Sequence, residues 1–250
     1  MNGIIELDHV SKVYKIPHLK TDNLKTYLLH LRKMRKKEIF YALKNIDLKV
    51  GAGQFIGIIG RNGSGKSTLL KIISNIIIPT TGEVTVRGKI SPFLELGVGF
   101  NPELSARENI YLYSAILGLT KKQILYCYSD IIAFSELEKF IDMPVKNFSS
   151  GMLVRLAFSV AIQSNAPILL VDEVLAVGDA PFQEKCYDVF RDFKKNGKTI
   201  VFVSHDMDSV ANFCDRVFYL KKGEEMAAGK PEEMINMYKK DIGILETSSK

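Results

Sequence analysis

Residues 60–68 read Gly60-Arg61-Asn62-Gly63-Ser64-Gly65-Lys66-Ser67-Thr68 and fill the pattern G-x-x-x-x-G-K-[ST] without a gap. No other stretch restricts the fold as tightly, because the pattern requires a buried strand before it and a helix after it. Both are predicted. Phe55-Ile56-Gly57-Ile58-Ile59 is a short apolar run, and Leu69, Leu70, Ile72 and Ile73 recur at helical spacing before Pro79. The glycines let the backbone curl so that successive N–H groups converge on phosphate oxygens. The helix N-terminus adds its partial positive charge. In that setting Lys66 reaches the β- and γ-phosphates and the Ser67 hydroxyl ligates Mg²⁺. Residues 60–68 therefore read as a nucleoside-triphosphate site.

With 250 residues, 46% hydrophobic and 25% charged, the chain suits one globular unit of one or two lobes. Cys127, Cys186 and Cys214 are scattered with no C-x-x-C spacing, which argues against a disulfide frame and a zinc site and for a reducing compartment. Met1 to Asp8 lacks the basic region of a signal peptide. No apolar run approaches the roughly 18 residues of a spanning helix. The expectation is a soluble, cytoplasmic protein.

A first strand is expected over residues 4–14, and Tyr14 near its end is either an adenine-stacking ring or an ordinary half-buried strand aromatic. Residues 15–38 then hold Lys15, Lys20, Lys25, Arg32, Lys33, Arg35, Lys36 and Lys37 against Asp22 and Glu38. Eight minus two is +6, equal to the formal charge of the whole chain. Leu24, Tyr27, Leu28 and Leu31 fall at i, i+3, i+4 and i+7, so the segment reads as a basic amphipathic helix. Such a helix suits an anionic membrane surface or a partner's acidic groove. Docking of the leucines on the protein's own core is the plainer alternative. Nucleic acid is not an expected partner, since no aromatic platform or reader motif accompanies the charge.

Residues 40–50 alternate as a strand, and residues 83–87 as another. Residues 90–104 read as loop. Ser105-Ala106-Arg107-Glu108 is a capping box, and Thr120 with Gln123 starts a second helix the same way. Residues 105–165 thus look almost purely helical, a lobe inserted between strand-rich segments. Near its end, Ser149, Ser150 and Gly151 open a helix and offer a second surface for phosphate. Ile168-Leu169-Leu170-Val171 runs into Asp172-Glu173, and two carboxylates ending a buried strand call for a cation or donors. Beside a phosphate loop, Asp172 is assigned to Mg²⁺ and Glu173 to the attacking water. A further buried strand, Thr199 to Val203, delivers His205 to the same sheet edge. A hairpin about Lys221-Lys222-Gly223, a helix from Pro231 and a loose tail over 241–250 complete the chain.

In this order the motifs resemble an ATP-binding cassette ATPase, the motor subunit of an ABC transporter. The resemblance covers residues 1–240. It implies a P-loop NTPase core of RecA-like α/β type, with an antiparallel β subdomain and an inserted α-helical lobe. It places Phe148-Ser149-Ser150-Gly151-Met152 at the family's L-S-G-G-Q signature, with Phe148, Ser150 and Met152 as departures. It makes Asp179 the acid of the D-loop, Tyr14 the adenine-stacking aromatic, and Glu173, His205 and Lys66 the catalytic set. The family's glutamine ahead of the helical lobe has no counterpart in residues 90–109, where Glu95, Asn101 or Glu103 would stand in. By the same resemblance ATP and Mg²⁺ lie between two copies in a head-to-tail homodimer, bound to a separate multi-spanning permease at the cytoplasmic face of the membrane. The runs Leu94 to Leu104 and Val174 to Asp179 are similar to those of ATPases that export lipid-linked polysaccharide such as O-antigen or teichoic acid. Some such ATPases carry an added carbohydrate-binding domain after the cassette, and none is expected here. A small-solute importer and a non-transport cassette are the rival expectations.

Overall fold

The computed structural model describes residues 3–17, 37–93, 97–172 and 178–244. Most of the basic segment (residues 18–36), Glu95, Glu173 and residues 245–250 lie outside the described residues. In chain order the elements are β1 (Ile5–Pro17), β2 (Lys37–Val50), β3 (Phe55–Ile59), α1 (Lys66–Ile73), β4 (Thr81–Val86), β5 (Ile90–Phe93), α2 (Ala106–Ile116), α3 (Lys121–Ser135), α4 (Ser150–Ala161), β6 (Ile168–Asp172), α5 (Ala180–Lys195), β7 (Thr199–Val203), α6 (Met207–Phe213), β8 (Arg216–Lys221), β9 (Glu224–Gly229) and α7 (Pro231–Asp241).

The strands form two sheets. One is antiparallel with order β2-β1-β4, and the other has order β5-β6-β7-β3-β8-β9. In the second sheet β5, β6, β7, β3 and β8 are parallel and β9 closes the edge as an antiparallel hairpin. The middle strands β3 and β7 are buried at every residue, as a sheet covered on both faces requires. This is the mixed α/β architecture of a P-loop NTPase. The hairpin turn matches its sequence, with Lys222 at φ 51° and Gly223 at φ 80°, the doubly positive pair of a two-residue turn.

One expectation is corrected. Ile90–Phe93 is a strand, not loop, paired in parallel with Ile168 to Val171. Pro92 disguises it, because proline lacks the ladder's N–H. At the sheet's edge, where β5 lies, that loss is tolerated.

Burial divides into three clusters. Between the sheets, Ile5, Leu43, Ile46, Leu69 and Leu70 pack with Ile56, Ile58, Leu170 and Val201. On the opposite face an aromatic group gathers around Phe190, whose ring lies 6.2 Å from Phe55, 6.4 Å from Phe158 and 6.3 Å from Phe213. Truncating a core ring of this kind to alanine costs about 3–5 kcal/mol. The third cluster is the helical lobe, where Ile110, Tyr113 and Ile131 meet Leu156, Ala157 and Val160. Helix α4 belongs to two clusters, because Phe158 and Ala161 on its other side join the aromatic group. Both capping boxes form: Ser105 with Glu108 on α2, and Thr120 with Gln123 on α3.

Candidate functional site

The pairing register aligns the carboxyl ends of three parallel strands. Ile58 of β3 is opposite Val203 of β7, and Val203 is opposite Asp172 of β6. The loop that leaves β3, residues 60–65, therefore emerges beside Asp172 and beside the Ser204-His205 exit of β7. His205 is exposed there and Asp172 half-buried.

Backbone conformation explains why this loop needs its glycines. Gly65 has φ 110°, and a Cβ on it would lie 2.6 Å from the Ala42 carbonyl oxygen and 2.9 Å from Leu43 Cδ2. Gly60 is equally confined, since a Cβ would fall 2.2 Å from the Leu220 carbonyl oxygen. We therefore expect Gly65→Ala to strain the loop by about 1–3 kcal/mol. For a chain of this size the melting temperature then falls by about 2–4 °C per kcal/mol. Differential scanning calorimetry checks this, and an unchanged melting temperature would contradict the close approach of β2.

Gly65 is also the N-cap of α1 and supplies no side-chain acceptor. The first N–H groups of a helix have no partner within the helix, and an anion at this end would meet them. Ser64 Oγ is buried and has no hydrogen-bond partner. Lys66 is only 6% exposed, and its Nζ donates to the carbonyls of Gly60 at 2.8 Å and Arg61 at 3.2 Å. The ammonium thus sits inside the curl of the loop. Ser67 Oγ donates to Asp172 Oδ2 at 3.4 Å, which joins a hydroxyl and a carboxylate separated by more than a hundred residues.

A cavity of about 300 Å³ lies over this loop, lined by Phe40, Ala42, Asn62, Gly63, Gly65, Lys66, Ser67 and Thr68. Phe40 and Ala42 were not foreseen. Phe40 reaches the cavity because β1 and β2 pair Tyr14 directly with Phe40, and opposed residues project to the same face. Tyr14, 37% exposed, stands next to the cavity lining without being part of it. Ser149, Ser150, Gly151, Asp179 and His205 do not line it either. Ser149 and Asp179 cap α4 and α5, accepting from Met152 N and Phe182 N respectively. A larger cleft, about 810 Å³, opens between α5 and α6. Several of its charges are satisfied within the chain, Arg191 by Glu184 and Asp188 and Lys194 by Asp215. It lacks a phosphate cradle, so the smaller cavity is the candidate site.

The model of the ABC transporter family matches residues 43–176, more than half of the chain. The chain belongs to the ABC transporter family. As an ATP-binding cassette it is 44% identical over 242 residues to the O-antigen export system ATP-binding protein RfbB of Klebsiella pneumoniae, covering 96% of this chain and 98% of that one. It is 42% identical over 238 residues to the teichoic acids export ATP-binding protein TagH of Lactococcus lactis, covering 95% of this chain and 51% of the relative. Among solved structures, an ATP-binding cassette captured as a dimer in a post-hydrolysis state with ADP and Pi superposes with a TM-score of 0.72 at 29% identity, covering 91% of this chain and 98% of that one. Among the described residues no helix of this cassette is long and apolar enough to cross a membrane.

Proposed function

We propose that this cassette hydrolyses ATP to drive export of a lipid-linked polysaccharide of the O-antigen or teichoic-acid type, in complex with a separate membrane-spanning subunit. The observation that carries the reading is the 44% identity that spans nearly the full length of an O-antigen export relative. The cavity over residues 60–68 supports the chemistry. The N–H groups at the start of α1, the buried Ser64 hydroxyl and the Lys66 ammonium are donors suited to phosphate oxygens. Ser67 and Asp172 are hard oxygen donors and fit Mg²⁺, which they would hold. Bound there, Mg²⁺ neutralises phosphate charge. Glu173, next along the chain, is the proposed base for water, and His205 the proposed γ-phosphate contact. Tyr14 is assigned to the adenine. Ser149 and Asp179 cap α4 and α5, and Ser150 and Gly151 open α4, all away from the cavity lining, which suits action on the nucleotide of a second copy in a head-to-tail dimer. The dimeric cassette it superposes on supports dimerisation.

The membrane subunit needs a surface. A groove of about 310 Å³ between the core and the helical lobe is lined by Ile76, Pro92, Val98, Tyr113, Ile116 and Leu117 with Lys71 at its edge. Ile76, Val98 and Ile116 are 61%, 60% and 57% exposed, and contiguous exposed apolar surface marks an interaction site. The basic segment is proposed as a second contact, with the membrane surface. β1 and β2 stay paired out to Pro17 and Lys37, so the segment leaves and rejoins the fold at adjacent positions.

The test is co-purification from membranes with the polytopic subunit, combined with polysaccharide export in cells. Val98→Asp with Ile116→Asp is expected to abolish both. Each surface change should alter stability by less than about 0.5 kcal/mol, and ATP turnover by the isolated cassette should persist. Undiminished co-purification would move the permease to another face. Export of a small solute in place of polymer would overturn the substrate.

A further inference from the structure

Arg155 of α4 makes contacts that none of the roles above uses. Its Nη1 donates to Glu136 Oε2 at 2.8 Å and its Nη2 to Asp179 Oδ1 at 2.7 Å. The guanidinium lies over the Phe182 ring, 4.8 Å from the centroid. The side chain is 18% exposed, so solvent and salt screen these pairs only in part. Glu136 ends α3 in the left-handed region at φ 58°, a strained conformation for a residue with a Cβ. Its second oxygen accepts from Lys185 of α5. Helices α3, α4 and α5 thus converge on one guanidinium.

We propose that Arg155 is a positioning residue that ties the start of α4, Ser149 to Gly151, to Asp179 at the start of α5, holding both in the orientation that ATP turnover requires. The inference rests on the reading that these two segments act on the nucleotide. Three observations carry it. Apolar packing already joins the two helices, with Phe158 and Phe182 rings 6.1 Å apart, so the guanidinium is not needed merely to hold them together. What it adds is direction, because a planar fork fixes the angle between its two acceptors as an ammonium cannot. Finally, Asp179 Oδ1 accepts from both Phe182 N and Arg155 Nη2, so one oxygen both caps α5 and senses α4. The Phe182 N–H first, and Arg155 beside it, hold the Asp179 carboxyl below its ordinary range, and it stays an acceptor at neutral pH.

A double-mutant cycle on ATP turnover by the intact chain tests this. Asp179→Asn keeps an acceptor for Phe182 N but loses the ion pair. Arg155→Ala and Asp179→Asn are each expected to lower kcat by about 10-fold or more, the scale of a misplaced catalytic segment, with KM for ATP unchanged. The double variant should be no slower than the slower single one. Arg155→Lys should recover only part of the rate. Glu136→Gln, which removes the charge from the other ion pair, should lower the melting temperature and leave kcat near that of the parent. Losses that multiply in the double variant, or a kcat that tracks melting temperature across all five variants, would reduce Arg155 to a stabilising role. Normal kcat in Arg155→Ala while Lys66→Ala is inactive would overturn the proposal and spare the nucleotide site. An active Lys66→Ala would instead overturn the nucleotide site itself.

Discussion

Glu173→Gln leaves ATP binding in place and lowers turnover by about 10²-fold or more, the contribution of a positioned general base. Glu173 follows Asp172 in sequence, and Asp172 lies level with the exit of the phosphate loop, its Oδ2 3.4 Å from Ser67 Oγ. An amide keeps the shape of the side chain but has no basic oxygen to take a proton from water. In the proposed dimer it would also remove a negative charge from the interface that holds the triphosphate. The variant should therefore accumulate as an ATP-bound dimer. Phosphate release measures the first effect, and size-exclusion chromatography with ATP and Mg²⁺ the second. Parent-like turnover would remove Glu173 from the chemistry.

Lys66→Ala has the next largest effect. The ammonium is almost fully buried and already surrounded by loop carbonyls. Removing one member of a desolvated charge pair costs about 2–5 kcal/mol, which corresponds to about 30-fold to several thousandfold in ATP affinity. The ammonium bonds two loop carbonyls, but the backbone of residues 60–65 is also held by glycine conformations and by the approach of β2 and β8, so the fold should survive. A thermal shift separates the two statements. A ligand at about 100 times its Kd stabilises a protein by about 2.7 kcal/mol. That stabilisation by ATP should vanish in the variant, while its melting temperature without ATP stays close to the parent's. Unchanged ATP affinity would disprove the assignment of the phosphate loop.

Much of this fold is visible in residue spacing. The buried strands β3, β6 and β7 are continuous apolar runs, the capping boxes announce α2 and α3, and Lys222-Gly223 marks the hairpin. These signals are local, so they survive without knowledge of the tertiary structure. β5 was not legible because Pro92 interrupts a strand of four residues whose pairing partner lies far along the chain. Phe40 was hidden for another reason. Its place at the cavity depends on the register between β1 and β2, which the long segment between them leaves open. Arg155 is a third case. Its two acid partners lie 19 and 24 residues away in sequence, and helical periodicity shows only that its side chain leaves the apolar face. Asp172 and Ser67 could be paired from motif chemistry alone, and the structure brings their oxygens together.

Helix α4 has one side in the lobe's core, through Leu156, Ala157 and Val160, and the other in the aromatic cluster beneath the sheet, through Phe158 and Ala161. A segment shared in this way couples the folding of both regions. Cutting out residues 105–165 would leave Phe158 facing water and leave a gap among Phe55, Phe182 and Phe190, so neither fragment keeps a complete interior. Heat should not melt the lobe ahead of the sheet. Local opening can reach the outer turns of α3, but the loss of α4 carries both cores with it. The lobe is therefore expected to share the stability of the sheet, and any rotation of it to be limited to what the side chains around α4 can absorb without unfolding.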